Sequence, residues 1–181
     1  QRTSSKIFSS NISEFLKTLN LEIEIKETNS FTIPRISQLT LKTNQFNLTT
    51  KRYHEDQIKK FSEDKNILIG CAQIRDKFGD NGITGVFIVE KTNHDEWFLD
   101  TFLLSCRVIG REAEKAILYF IINEAKNNNI KRLKAKFIPT EKNKPIENFL
   151  PDCQFYKKDG IWIYNLDKPF NMPDFLTLSE E

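Results

Sequence analysis

"DTFLLSCRVIGREAEKAILYF" (residues 100–120) reads as a buried strand, a short loop and a buried helix. The part before Cys106 is nearly continuous in apolar residues, which is typical of a strand covered on both faces. After Gly110, apolar residues recur at helical spacing and predict a helix with a broad buried face. A strand that runs through a glycine turn into such a helix predicts a layered α/β protein.

The rest of the chain supplies further strands and helices around this unit. Residues 21–27 alternate apolar and charged side chains, which predicts a half-buried strand. Two apolar stretches around "DKFGDNG" predict a hairpin, and Pro34 favours a helix start. Further strands are predicted in "IKRLKAKFI", "QFYKK" and "IWIYNLD", with a short helix in "KPIENFL". We therefore expect a mixed, mainly antiparallel central sheet with helices on both faces.

Composition limits the partners and the compartment. The chain has 181 residues, 27 of them basic and 25 acidic, and a formal net charge of +2. This balance gives no electrostatic case for nucleic acid, and the longest apolar runs are too short for a membrane. Three cysteines without a paired framework favour a reducing cytoplasm. Because the first residue is Gln1 and the only methionine is Met172, we expect a piece of a longer protein.

The junction at residues 105–112 is the first candidate site. Successive N–H groups and the helix dipole favour an anion there, Gly110 allows the turn, and Arg107 and Arg111 would add charge-assisted bonds. An ordinary tight turn with two solvated arginines is the alternative.

Cys106 is the candidate nucleophile, because arginines and a helix N-terminus favour the reactive thiolate. A small buried apolar side chain is the usual alternative for a cysteine.

Asp100 is unusual because it is a carboxylate inside an apolar strand, where an unpaired charge would be costly. We expect an ion pair with Arg107 or Arg35, with an acid–base role as the second interpretation.

A similar question applies to "KTNQFNLTTKRY" (residues 42–53), which concentrates amide and hydroxyl side chains. The members are Asn44, Gln45, Asn47, Thr49 and Thr50. Thr50 is a candidate cap for the next helix, but one cap does not require five polar side chains.

Four blocks of sequence, in order, resemble one family. They are "IPRISQLTLKTNQFNLTTKRY", "DKFGDNGITGVFIV", "DTFLLSCRVIGRE" and "IPTEKNKPIENF". They are similar to the C-terminal region of FkbH-like proteins, which join a haloacid-dehalogenase-like phosphatase domain to a GNAT-like acyltransferase region. The resemblance implies a GNAT-like domain at residues 1–168, a C-terminal tail at 169–181 and an upstream phosphatase domain. The phosphatase motif, Asp-x-Asp followed by Thr or Val, does not occur in these 181 residues.

The resemblance also implies a function. It predicts the transfer of an acyl group, of the glyceryl type derived from 1,3-bisphosphoglycerate, to the thiol of an acyl carrier protein. Cys106 and Asp100 become the catalytic candidates. The GNAT fold places the 42–53 segment beside the acceptor cleft, which makes its polar side chains candidate ligand contacts. The full ligand-binding set is Asn44, Gln45, Asn47, Thr49, Arg107, Gly110, Arg111 and Asn143.

The sequence departs from the GNAT pattern at two positions. The second small residue of the pyrophosphate loop is Glu112, and the place of the usual acid tyrosine, counted from Asn143, holds Leu150. The cofactor therefore stays open between coenzyme A, phosphopantetheine and none, and no metal is predicted. Two other functions are kept: a CoA-dependent N-acetyltransferase, and an idle module that positions a phosphatase domain or a carrier. A basic strand face at residues 132–136 could receive an acidic carrier or could simply be solvated.

Overall fold

The computed structural model describes residues 11–181 and contains five α-helices in that range. The helices are α1 (described over residues 11–17), α2 (Ile33–Lys42), α3 (Glu55–Glu63), α4 (Ala113–Asn127) and α5 (Phe149–Asp152). Two 3₁₀ turns, Cys106–Val108 and Lys144–Ile146, precede α4 and α5. No helix in this part of the chain combines the length and apolar character that crossing a bilayer requires.

Nine strands of the described residues form one sheet. They are β1 (Leu21–Glu27), β2 (Phe46–Asn47), β3 (Ile67–Asp76), β4 (Gly79–Glu90), β5 (Glu96–Leu104), β6 (Arg132–Ala135), β7 (Tyr156–Lys158), β8 (Ile161–Asn165) and β9 (Leu176–Glu180). Their order is β7-β8-β6-β5-β4-β3-β1-β9, with β2 paired to β5 off this path. Among these nine strands, only β1 with β9 and β5 with β6 are parallel, so the predicted mainly antiparallel sheet is confirmed.

Alternate residues of the central strands build two cores, one on each face of the sheet. Phe87 and Val89 of β4 pack with α4, whereas Val86 and Ile88 pack with α2 and α3. Helix α4 lies so close to the sheet that a Cβ at Gly85 would stand 2.8 Å from Ile117 Cδ1. The predicted helices on both faces are therefore present, and β5 contributes to both cores.

Three boundaries differ from the sequence-based expectation. Residues 176–180 of the expected tail form β9, so residue 168 does not end the folded unit. The hairpin turn is tighter than predicted, because β3 and β4 extend through most of "DKFGDNG". Helix α3 is capped by His54 in a capping box with Gln57, and not by Thr50. Thr50 instead has a positive φ of 53° and lies in the preceding turn.

The sheet opens between β5 and β6, and this opening shapes the candidate site. The two strands pair only over Glu96–Leu99 and Arg132–Ala135. Beyond that point Asp100 is an extra residue opposite β4, a β-bulge, and bulges of this kind redirect side chains. Strand β2 then occupies the opening, with Phe46 opposite Leu104 of β5. The 42–53 segment is therefore inserted into the sheet.

Candidate functional site

An open pocket of about 370 Å³ lies where the end of β5 meets the end of α2. We call it the Cys106 pocket. It is lined by Arg35, Gln38, Leu39, Lys42, Thr43, Asn44, Gln45, Leu104, Ser105, Cys106 and Arg107. Four of the sequence-predicted site residues, Asn44, Gln45, Cys106 and Arg107, are brought together here. Its volume falls in the range of pockets that bind small ligands.

Three cations line this pocket: Arg35, Lys42 and Arg107. Among residues 11–181, no Asp or Glu belongs to the lining, and none of the three cations has a carboxylate within ion-pair distance. Arg35 donates from Nε to the carbonyl of Ile83 at 3.1 Å and from Nη1 to the side chain of Gln38. Burial, and then the neighbouring charge of Arg107, lower the pKa of Arg35. The pocket therefore carries uncompensated positive charge.

Cys106 is the exposed thiol of the chain. It opens the 3₁₀ turn after β5, with its side chain in solvent contact at the pocket. Cys71 and Cys153 are buried, and burial raises the pKa of each of these thiols to about 12. The alternative of a small buried apolar side chain therefore describes Cys71 and Cys153, whereas Cys106 is placed where a ligand can reach it.

The pocket wall beyond α2 is held by an arginine. Arg52 donates to the carbonyls of Thr40 and Thr43, the latter at 2.8 Å, and to the side-chain oxygen of Asn44. These carbonyls belong to the end of α2, where helix acceptors lack intrahelical partners. Asn44 is half-buried by this contact and Gln45 is exposed. The wall is thus fixed on one side and accessible at Gln45.

Asn47 and Asn143 form a buried contact that we call the asparagine junction. Asn143 Nδ2 donates to the carbonyls of Asn47 and Ile138, both at 2.9 Å, and Asn143 Oδ1 accepts from Thr140 N at 2.7 Å. Asn47 Oδ1 accepts from Thr50 N at 2.9 Å. Both side chains have zero exposure. The junction ties the inserted segment to the loop after β6, so the expected ligand contacts of Asn47 and Asn143 are replaced by structural bonds.

Thr49 and Asp100 also differ from expectation. Thr49 is buried, and its hydroxyl donates to the Asp100 carbonyl at 2.8 Å. The Asp100 carboxylate binds Lys51 and accepts from Tyr53 Oη at 2.8 Å. The expected ion pair with an arginine is therefore wrong, and the carboxylate does not line the pocket. Thr49, Lys51 and Tyr53 therefore all bind Asp100, the bulged residue of β5.

The far end of the 105–112 loop is anchored away from the pocket. Arg111 forms an ion pair with the side chain of Asp76, which also accepts from Phe78 N at 2.8 Å. Burial would raise the pKa of Asp76, but the bonds from Phe78, Asn81 and Arg111 hold it below its ordinary value. Gly110 has the positive φ, 83°, that the turn was expected to need. The Arg111 guanidinium is therefore paired with a structural carboxylate. Of the two arginines of the 105–112 loop, only Arg107 lines the pocket.

The residues at the N-terminus of α4 do not fit a diphosphate. Glu112 occupies the N-cap position with a positive φ of 63° and pairs with Lys115 at 3.1 Å. Glu114 follows in the first turn, with Oε2 buried and unpartnered within the described structure. Burial raises the pKa of Glu114. Leu150, at the place of the acid tyrosine, is a buried apolar side chain and supplies no acid group. These carboxyl groups already occupy the helix N-terminus, where the pyrophosphate of coenzyme A would need positive potential.

Sequence reasoning missed the contribution of α2 to the pocket. Arg35, Gln38 and Lys42 follow the i, i+3, i+7 spacing of one helix face, while Ile36 and Leu39 pack in the core between α2 and the sheet. This spacing was visible in the sequence, but its meaning depends on which strand end the helix faces.

The basic strand face of β6 is partly neutralised, because Glu96 pairs with both basic residues of that strand at 2.7 Å.

The architecture defines a class: the mixed sheet, with β5 and β6 parallel and then separated, has the GNAT acetyltransferase fold. A GNAT acetyltransferase from Staphylococcus aureus superposes with a TM-score of 0.62 at 16% identity, covering 80% of this chain and 99% of its own. The ribosomal-protein-S18-alanine N-acetyltransferase of Escherichia coli gives 0.59 at 12% identity, covering 81% and 96%. The Vibrio cholerae spermidine N-acetyltransferase, in complex with CoA and spermine, gives 0.63 at 10%, covering 82% and 98%.

These likenesses concern the fold alone, since all three identities are low. No protein-family model matches the chain, and a comparison with curated proteins finds no match.

Proposed function

We propose that the protein is an acyltransferase in which Cys106 carries the acyl group between donor and acceptor. The single observation that supports this most is the position of Cys106 in the pocket with three uncompensated cations. Nearby positive charge stabilises a thiolate and the oxyanion that forms when a thiolate attacks an acyl carbon. Cys106 therefore combines accessibility with a favourable electrostatic environment.

The chemistry has two balanced half-reactions. The Cys106 thiolate attacks the acyl carbon of an activated donor, a C–S bond forms, and the donor's leaving group departs with its electron pair. The thiol of the acceptor then gives up its proton to solvent water and attacks the thioester; the new C–S bond forms as the Cys106 C–S bond breaks, so Cys106 leaves as the thiolate again. We propose a glyceryl-type acyl group, a carrier-protein thiol as the acceptor, and an upstream phosphatase domain as the source of the donor. These three assignments rest on the resemblance to FkbH-like proteins.

Intact-protein mass spectrometry tests the proposal. The chain is incubated with an activated three-carbon hydroxyacyl donor, and a mass increase equal to one acyl group is expected. The adduct should be lost in Cys106→Ser, retained in Cys153→Ala, and discharged by a small thiol. An adduct that persists in Cys106→Ser, or no adduct with any activated donor, contradicts the proposal.

A CoA-dependent N-acetyltransferase is the second candidate, because the superposed structures include two N-acetyltransferases. Glu112 at the N-cap and Glu114 in the first turn of α4 count against it, as does the place of the acid tyrosine, which holds a buried leucine. Calorimetric titration with acetyl-CoA distinguishes the two candidates. We expect no binding at micromolar concentration, and tight binding would favour the second candidate.

A further inference from the structure

The strongest feature that the proposed function leaves unexplained is the number of cations at the pocket. One arginine beside Cys106 would be enough to stabilise a thiolate, yet Arg35, Lys42 and Arg107 all line the same 370 Å³. Like charges brought together raise the free energy of the folded protein unless an anion compensates them. The effect is visible at Arg35, whose pKa is lowered by burial and by Arg107.

We infer that the Cys106 pocket is a binding site for an anionic group, a carboxylate or a phosphate, on the molecule that reaches Cys106. The inference rests on the proposed function only in making that anion part of the transferred acyl group or of its donor. The guanidinium of Arg107 suits both oxyanions, and Arg35 and Lys42 add positive charge. Leu39 and Leu104 give the pocket an apolar part that could accommodate the carbon chain.

The same charges exclude a class of ligand. A polyamine such as the spermine bound by the Vibrio cholerae structure carries several positive charges. Placed in this pocket it would meet three cations and, within the described residues, no lining carboxylate. Like-charge contact of this kind is an effective means of rejecting a wrong partner. The substrate class therefore differs from that of the polyamine enzyme with the same fold.

Two alkylating reagents of nearly equal size test the inference at Cys106 itself. Iodoacetate is an anion and iodoacetamide is neutral. In both cases the thiolate attacks the methylene carbon, the C–S bond forms and iodide leaves. The ratio of the two rates at Cys106, divided by the same ratio for glutathione, isolates the effect of the pocket charge. We expect a corrected ratio of about five or more, the factor that one nearby cation gives in water.

Charge-removing variants identify the source of this preference. Arg107→Gln and Lys42→Gln should each lower the corrected ratio, and the double variant should lower it further, leaving the contribution of Arg35. Lys60→Gln is the matched control, because it removes the same charge from exposed helix α3, outside the pocket lining. A corrected ratio of one or less in the unmodified chain, or a fall as large in Lys60→Gln, overturns the inference.

Calorimetric titration with inorganic phosphate provides a measurement that does not involve the thiol. Saturable binding that weakens about fivefold in Arg107→Gln but is unchanged in Cys106→Ser supports an anion site even if no acyl adduct forms. Failure of the acyl-transfer proposal is thus separable from failure of the anion site. Absence of phosphate binding together with equal alkylation by both reagents would contradict the anion site while leaving covalent transfer to be judged by mass spectrometry.

Discussion

The Cys106 pocket and the asparagine junction are built from neighbouring stretches of the same polar segment, yet they have opposite properties. At the pocket, Asn44 is half-buried and Gln45 is exposed beside three cations. At the junction, Asn47 and Asn143 have zero exposure, and the Asn143 amide joins the inserted segment to the loop after β6. The comparison teaches that the richness of this segment in amide side chains has two causes. Asn47 lies in β2, which fills the opening in the sheet, whereas Asn44 and Gln45 line the Cys106 pocket.

The largest expected difference is in the reactivity of the exposed Cys106 at the pocket compared with the two buried cysteines, Cys71 and Cys153. We expect iodoacetamide near neutral pH to label Cys106 at least a thousandfold faster than Cys71 or Cys153. The pKa of each buried thiol is raised from 9.0 to about 12, which lowers its thiolate fraction by about that factor. Peptide mapping after timed quenching measures the order. If Cys106 is the last to react, its side chain is closed to solvent and covalent catalysis is excluded.

The junction should dominate stability. We expect Asn143→Ala to lower the free energy of unfolding by about 3 kcal/mol, because it removes the bonds to the buried Asn47 carbonyl, the part-buried Ile138 carbonyl and the Thr140 amide. Asn44→Ala, at the pocket, should cost less than about 1 kcal/mol, since its neighbour Arg52 keeps two backbone acceptors. Urea denaturation of both variants measures the difference. Equal losses would show that the two regions are not energetically distinct.

Asp100 joins the inserted segment to β5, and its removal should have an intermediate effect. Asp100→Ala should cost about 2 kcal/mol, because Tyr53 and Thr101 lose a buried acceptor. It should also lower the pKa of Tyr53, which burial and then the Asp100 carboxylate raise above its ordinary value. Ultraviolet absorption titration at alkaline pH, with Tyr53→Phe as the control, detects this change. An unchanged tyrosine titration would mean that the two side chains do not meet.

A smaller effect than at Asp100 is expected at the anchored end of the 105–112 loop. Asp76→Asn should cost about 1 kcal/mol at neutral pH through loss of the Arg111 pair. Because the folded pKa of Asp76 lies below its ordinary value of 3.8, this stabilisation is present above about pH 4. It is lost as the pH falls through the lower folded pKa. Unfolding free energies of wild type and variant should therefore converge as the pH falls below this lowered pKa, and a constant difference would contradict the assignment.

The sequence predicted the sheet and its helices well, because these depend on local periodicity. Strand β1 is found at the predicted residues, and the apolar strand before Cys106 is central, as its composition indicated. Strand β9 was missed because its partner β1 lies at the other end of the chain. Residues 169–181 carry little local strand signal, and pairing with a distant edge is a tertiary effect.

The site was only partly predictable, and for a physical reason. The sequence indicated that Cys106 and Arg107 follow a strand, and they do line a pocket. It could not show which polar side chains of residues 42–53 would be consumed by backbone groups. That depends on the unpaired carbonyls exposed where β5 and β6 separate, and these exist only once the sheet has formed. The side-chain partners of Asp100 and Arg111 were missed because they lie on segments distant in sequence.

Strand β9 has a consequence for how the chain reaches its folded state. It covers the outer edge of β1 by parallel pairing, and β1 carries the apolar residues Leu21, Ile23 and Ile25. During synthesis this edge stays uncovered until residues 176–180 have been made, since no nearer strand replaces β9 among the described residues. Uncovered apolar edges pair with other chains. Truncation before residue 176 should therefore produce aggregates, even though the Cys106 pocket lies elsewhere on the sheet.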